Sequence, residues 1–344
     1  MAATDQAKTI LHYYGDRFTT PSPSIDFLGS AGGYSGAQLW RVSLSDQAPF
    51  LLRRWPAIES ANEKRLRWIH RQLATGQRQG CEFLPVPLFT ANQESLVEYG
   101  DHFWQLEPWM PGVADYWQQP SPDKMRHAVQ AVAQVHSAWA TQPARRQVPD
   151  SVLLRIEKLS QLFRQSRTTD RFRQIQAATV EHALLKGLGF QICERFCVLA
   201  RSVAVELNSI AETRVEIQTI IGDVWHDHVL FTGDQVSGLV DFGAMRVDCP
   251  AADLARLLGS LVQDDTDGWE QGFQAYDLAH PQRAGCPAEF RQFVGILDRS
   301  NTLLSGMNWL CWICLEGKKF GDLTPIHKRL QQILKRMDFL AAQM

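Results

Sequence analysis

The sequence lacks a hydrophobic run long enough to cross a bilayer. Its longest apolar stretch, Leu303 to Leu315, is interrupted by Ser305, Gly306 and Asn308. It is too short to span and reads as a buried helix. The chain also lacks an excess of charge. Its 35 basic and 37 acidic residues leave a formal net charge of −2, which gives no electrostatic case for nucleic acid or an anionic membrane. A disulfide framework is missing too. The seven cysteines are odd in number and scattered, the pattern of a reducing cytoplasm. Cys311 and Cys314 form a CxxC, and Cys193 and Cys197 are four apart. Both pairs sit in apolar, helix-like surroundings and read as small buried thiols rather than metal ligands. Met1 to Asp5 offers no basic segment leading into an apolar core, so no secretory leader is expected. Internal repeats and low-complexity tracts are absent.

What remains is 344 residues of globular composition, 45% hydrophobic, enough for two lobes with a sizeable core. Ser24 to Ser30, Ala37 to Leu44 and Pro49 to Trp55 have the content of short strands. A helix with Leu66, Ile69 and Leu73 on one face follows, with acidic residues early and basic ones late. "FLPVPLFT" (83–90), "SLVEYG" and "HFWQLEPW" read as three more strands. Pro108, Pro111 and Gly112 then break regular structure. Beyond them the chain reads as helices, beginning with Met125, Ala128, Val132, Val135 and Trp139 on one face. The expected division is 1–106, a hinge at 107–112, and 113–344.

One stretch interrupts the helices. "IGDVWHDHVLFTGDQVSGLVDFG", Ile221 to Gly243, reads as a hairpin with Asp223 before it and Asp241 at its end. A hairpin can bring two such carboxylates to one pocket. Two carboxylates suit phosphoryl transfer: one accepts a hydroxyl proton and the other holds Mg²⁺, a hard cation that completes its shell with phosphate oxygens.

These residues resemble the catalytic segment of the aminoglycoside phosphotransferase and choline kinase superfamily. Gly222-Asp223, the residue five positions on, the hairpin, Asp241-Phe242-Gly243 and the helix "DCPAADLARLL" stand in the family's order and spacing. The resemblance implies an α+β, two-lobed protein-kinase-like fold, with a small antiparallel β-sheet lobe and a larger, mainly helical lobe. It implies Asp223 as catalytic base, Asp241 as metal ligand, and Asp253 as a helix-borne carboxylate that bonds the catalytic-loop backbone. Two positions depart from the family. Ile221 stands where it has histidine, and His228 where it has asparagine. His228 is either a metal ligand or a structural anchor, since Mg²⁺ prefers oxygen. His226 reads as a hydrogen-bonded loop residue.

On the nucleotide side, "AGGYSG" stands where such folds place a turn over the phosphates. Gly32, Gly33 and Ser35 are the candidates to cover them, although a plain glycine hairpin has the same composition and the spacing is not G-x-G-x-x-G. On the third strand Arg53 takes the place of the usual lysine and would pair the phosphates. Arg54 should face the other way, toward water. Glu63 is the expected partner of Arg53, with Glu59 second. The carbonyl of Glu107 and the N–H of Trp109 would receive adenine, because Pro108 has no N–H.

On the substrate side, the acidic run in "QDDTDGWEQ" is better read as a helix start than as a binding patch. Trp309 and Trp312 read as core, and His136 as structural. The reading is an enzyme, a cytoplasmic small-molecule kinase using ATP and Mg²⁺ and phosphorylating a hydroxyl, with no nucleic-acid or membrane partner. The competing reading is an inactive nucleotide- or ligand-binding protein. A protein-serine kinase fits less well, because no lysine lies between Asp223 and His228 and no activation-loop length follows Gly243.

Overall fold

A computed structural model describes residues 3–18, 22–29, 36–45, 47–57, 62–140, 143–168, 171–181, 185, 187–280, 288–318, 320 and 323–343. The chain forms two compact units. The first comprises Met1–Trp139 with His226–Met245, and the second Ala140–Trp225 with Arg246–Met344.

The first unit opens with a helix, α1 (Ala3–Leu11), that the sequence reading had not identified. Strands β1 (Ser24–Gly29), β2 (Gln38–Ser43) and β3 (Phe50–Ala57) follow, then α2 (Glu63–Arg78), β4 (Val97–Tyr99), β5 (His102–Pro108) and α3 (Pro122–Trp139). The strands make one antiparallel sheet in the order β1-β2-β3-β5-β4. Side chains alternate across it. Trp40, Val42, Leu52, Trp104 and Leu106 pack under α1 with Ile10, Leu11, Tyr14 and Phe18. On the opposite face of β3 and β5, Phe103 packs with Leu66 of α2 and Leu96, and the rest lines a cavity. The strand expected over 83–90 is not formed; Pro85 and Pro87 remove N–H donors, and only Leu88 reaches the sheet, donating to the Leu106 carbonyl at 2.7 Å. Arg54 does lie on the face opposite Arg53, but not in water. Its guanidinium stands over the Trp40 and Trp104 rings and donates to Gln6 on α1.

The second unit begins with β6 (Arg145–Gln147), α4 (Asp150–Thr168), α5 (Arg171–Glu181), α6 (Leu188–Ser209) and β7 (Val215–Ile220). The expected hairpin forms as β8 (Val229–Thr232) and β9 (Gln235–Leu239), and it belongs to the first unit. Its β9 packs on α3, and Phe231 exchanges backbone hydrogen bonds with Val113 at 2.9 and 3.0 Å. The chain returns to the second unit through β10 (Arg246–Asp248), α7 (Ala251–Leu261), α8 (Thr266–Ala279), α9 (Ala288–Cys314) and α10 (Thr324–Ala342). The short sheet β10-β7-β6 was not anticipated. The buried helix expected at Leu303 to Leu315 is the C-terminal part of a longer α9, which carries Trp309 and Trp312 edge to face at 5.3 Å. Asp265 caps α8 by accepting from the Asp267 N–H, so the acidic run is a helix start. No described helix is long and apolar enough to cross a membrane.

Gly112 is held at φ +91° against the hairpin, and an added Cβ would lie 2.6 Å from the Phe231 carbonyl oxygen. Gly233, in the hairpin turn at φ +60°, has open space around it. Gly112→Ala should therefore cost roughly 3 kcal/mol, against ~1 kcal/mol for Gly233→Ala, read from urea midpoints. Equal losses would show that the close approach at Gly112 is not a constraint.

Candidate active site

The cavity of about 350 Å³ lies within the first unit, against the unburied face of β3 and β5. Leu51, Arg53 and Trp55 reach it from β3, and Gln105 and Glu107 from β5. The alternation that puts Trp104 and Leu106 into the core puts these polar residues on the other side. They form a connected set. Arg53 Nη2 lies 3.1 Å from Glu107 Oε1, with the two side chains 16% and 6% exposed. Gln105 Nε2 donates to Glu107 Oε2 at 2.5 Å. Gln105 Oε1 therefore accepts, from Trp55 Nε1 at 2.7 Å and from His70 Nε2 at 3.0 Å. With Nε2 protonated, His70 Nδ1 accepts from the Ser95 hydroxyl at 2.9 Å. Burial pushes the His70 imidazole down to about 4, aided by the positive charge of Arg67, Arg53 and Arg71, so the ring is neutral at pH 7.

This corrects the expected partner of Arg53. Glu63 bonds Arg67 one turn along α2, at 2.8 Å, and Arg53 bonds Glu107 instead. Helix α2 turns Ile69, His70 and Leu73 to the cavity. Glu59, Gly32, Gly33 and Ser35 lie outside the described residues.

The backbone register also corrects the hinge assignment. The Trp109 N–H donates to the Pro49 carbonyl at 3.0 Å. In an antiparallel ladder the hydrogen-bonded pairs recur every second residue, so Glu107, opposite Leu51, also turns its backbone toward β3. The alternate residues point outward. At Leu106 both outward groups are taken, the N–H by the Tyr14 hydroxyl and the carbonyl by the Leu88 N–H. The next outward groups are the Pro108 carbonyl and the Met110 N–H, which has no partner among the described residues. Both residues line the cavity. Trp109 instead packs its ring under Arg41, at 5.0 Å.

Asp241 closes the cavity from the end of the hairpin, with Phe242 and Gly243 beside it. Its backbone is left-handed, at φ 62° and ψ 71°, an uncommon conformation for a non-glycine residue. That conformation turns the carboxylate outward, 53% exposed, with His228 Nε2 3.7 Å from Oδ2. The Val240 N–H holds the His228 carbonyl at 3.0 Å, and Arg65 from α2 holds the Gly243 carbonyl at 2.7 Å. Among the described residues no three His, Cys, Asp or Glu side chains cluster as a metal site. Asp241 and His228 supply one carboxylate and one imidazole, which fit a cation that draws the rest of its shell from phosphate oxygens and water. His226 sits 3.3 Å from Asp227, in a short turn against Trp117.

Asp223 lies in the second unit, where α7 builds its loop. The fully buried Asp253 accepts from the Ile221 N–H and the Gly222 N–H, both at 2.7 Å. These are the bonds the resemblance implied. Ile221, where the family has histidine, is 1% exposed and packs as core. Arg256, one turn beyond Asp253, places Nε 2.9 Å from Asp223 Oδ1. It also stands over Trp225, and Arg329 approaches the same ring at 3.9 Å. Sequence reading passed over Arg256, His70 and Gln105. The first two sit at helical spacing from residues already singled out, and Gln105 shares a strand face with Glu107.

The sequence matches the model of the phosphotransferase enzyme family over residues 28–286. No curated protein matches it. Among solved structures it is similar to the spectinomycin phosphotransferase APH(9)-Ia in complex with ADP and spectinomycin, at a TM-score of 0.64 or above in two complexes and 0.67 in this one. That pair is 10% identical and covers 100% of this chain and 99% of the other. The amicoumacin kinase hAmiN with AMP-PNP and Ca²⁺ gives 0.64 at 9% identity, covering 98% and 94%. The Plasmodium vivax ethanolamine kinase gives 0.55 at 14%, covering 96% and 87%.

Two outcomes follow from the buried polar groups. Unfolding raises the His70 value from about 4 toward 6.5, so the unfolded chain binds an extra proton between those values and stability falls as pH drops through that window. The melting temperature of the unaltered chain should thus decline relative to His70→Gln from pH 7 to pH 4; a constant gap would contradict a buried neutral ring. Asp253→Asn offers one carbonyl oxygen to two N–H donors and should cost roughly 1–3 kcal/mol in urea unfolding, with no loss expected if the two bonds are not made.

Proposed function

The chain belongs to the phosphotransferase enzyme family, and from that premise we propose that it transfers the γ-phosphoryl group of ATP to a hydroxyl of a small molecule. The observation that carries this reading is the cavity lined by both Arg53 and Asp241, with Pro108 and Met110 on its wall. An outward acceptor and donor two residues apart suit the edge of a purine base. Arg53 steadies the phosphates, and its planar fork suits two oxygens at once. Gly32, Gly33 and Ser35 are assigned the cover over them.

Asp241 would hold Mg²⁺, with His228 beside it. When bound, the ion neutralises charge on the phosphates. Asp223 orients the acceptor hydroxyl and takes its proton as the oxygen attacks the γ-phosphorus; the bond from that phosphorus to the β,γ-bridging oxygen breaks and ADP leaves. Asp253 fixes the loop backbone ahead of Asp223, and Arg256 fixes the carboxylate itself. Nucleotide and divalent-cation use are supported by similar structures holding ADP, AMP-PNP and Ca²⁺. A small acceptor is supported by the spectinomycin and amicoumacin complexes and by the similarity to an aminopropanol kinase. The scattered cysteines support a cytoplasmic setting.

ATP consumption across a panel of hydroxyl compounds tests the reading. Asp223→Asn should lower turnover roughly 10³-fold while leaving Mg–ATP binding within about twofold. Asp241→Asn should remove the magnesium-dependent part of ATP binding. Equal turnover by the unaltered chain and Asp223→Asn would overturn the assignment of the base, and tight binding without turnover on any acceptor would favour the inactive reading.

A further inference from the structure

We propose that Glu107 is the positioning residue for Arg53, supplying from β5 the counter-charge that no carboxylate of α2 supplies. The inference rests on the nucleotide reading of the cavity. The register pairs Leu51 with Glu107 and Arg53 with Gln105, so Arg53 and Glu107 are diagonal neighbours on one face of adjacent strands. Their ion pair, at 3.1 Å, joins the buried Glu107 carboxylate to a half-buried guanidinium. The other carboxylate oxygen is held by Gln105, which is itself fixed by Trp55 and His70. On α2, the first-turn Glu63 is engaged with Arg67, and the residue that reaches the network is the neutral His70.

The pairing sets what Arg53 can do. Glu107 takes one terminal nitrogen, and the Trp55 ring lies 5.3 Å from the guanidinium carbon. The buried Arg53 Nε has no hydrogen-bond partner among the described residues. A guanidinium anchored at one nitrogen on the cavity wall is preorganised for an anionic oxygen. Because both partners stand on neighbouring strands of one sheet, the ladder fixes their separation. No helix has to move for the pair to form.

The test measures binding of Mg–ATP and of adenosine to the full chain by calorimetry. Adenosine lacks the groups Arg53 would meet. Glu107→Gln should weaken Mg–ATP about tenfold and leave adenosine within about twofold. Arg53→Gln should give the same signature, and the double variant should be no weaker than Arg53→Gln alone, because the two residues act as one unit. Glu107→Asp keeps the charge with a shorter reach. It should show a smaller change of the same kind, and it carries the test if the glutamine variant does not fold. Parallel losses for ATP and adenosine would overturn the proposal, as would an unchanged Glu107→Gln, additive losses, or a tenfold ATP effect from Glu63→Gln instead. If the unaltered chain binds adenosine but not Mg–ATP, the positioning role falls alone; if it binds neither, the nucleotide reading falls with it.

Discussion

The constraint on which the first unit depends is the two-residue period of β3 and β5. Even-numbered positions of both strands bury Leu52, Trp104 and Leu106 beneath α1. Odd-numbered positions 51, 53 and 55 of β3 and 105 and 107 of β5 are thereby committed to the cavity, whatever their polarity. A slip of one residue would drive Arg53, Gln105 and Glu107 into the apolar core and expose the tryptophans. The apolar packing on one side thus enforces a polar wall on the other. The wall is tolerable only because its members satisfy one another, from Arg53 through Glu107 and Gln105 to His70 and Ser95.

A different device governs the Ile221–Asp223 loop of the second unit. There the organising group is one buried carboxylate, Asp253, spent on two consecutive backbone N–H groups. Those bonds fix the chain just ahead of Asp223, and Arg256 from the same helix then fixes the side chain. The substitution at Ile221 is accommodated because its side chain enters the core, where an aliphatic group packs well.

Much of this was legible from the amino acids alone. The hairpin, the Asp-Phe-Gly end and the five strands of the larger sheet follow from short-range patterns, namely apolar content, turn residues and strand-length punctuation, and the Asp253 bonds were implied by the family resemblance. Partners across strands were not legible. Choosing Glu63 for Arg53 assumed that a helix carboxylate would reach the sheet, whereas strand register brings Glu107 closer. The hinge groups were misassigned by one residue for a related reason, since Pro108 excludes itself as a donor but does not reveal which backbone edge faces β3. The strand expected over 83–90 shows the limit of apolar content as a guide, for two prolines outweighed it. The short strands β6, β7 and β10 depend on pairing between distant segments, which single-sequence periodicity does not report.

The first unit is discontinuous in the chain. Its hairpin, within His226–Met245, is separated from Trp139 by residues 140–225, a span of 225 − 139 = 86. During synthesis from the N-terminus, Val113 must wait for Phe231 to emerge before its backbone donor and acceptor are met. The cavity likewise gains Asp241 only after those 86 intervening residues have been made. On the ribosome, the sheet can therefore form early, while the wall that carries the Asp241 carboxylate is a late, long-range addition.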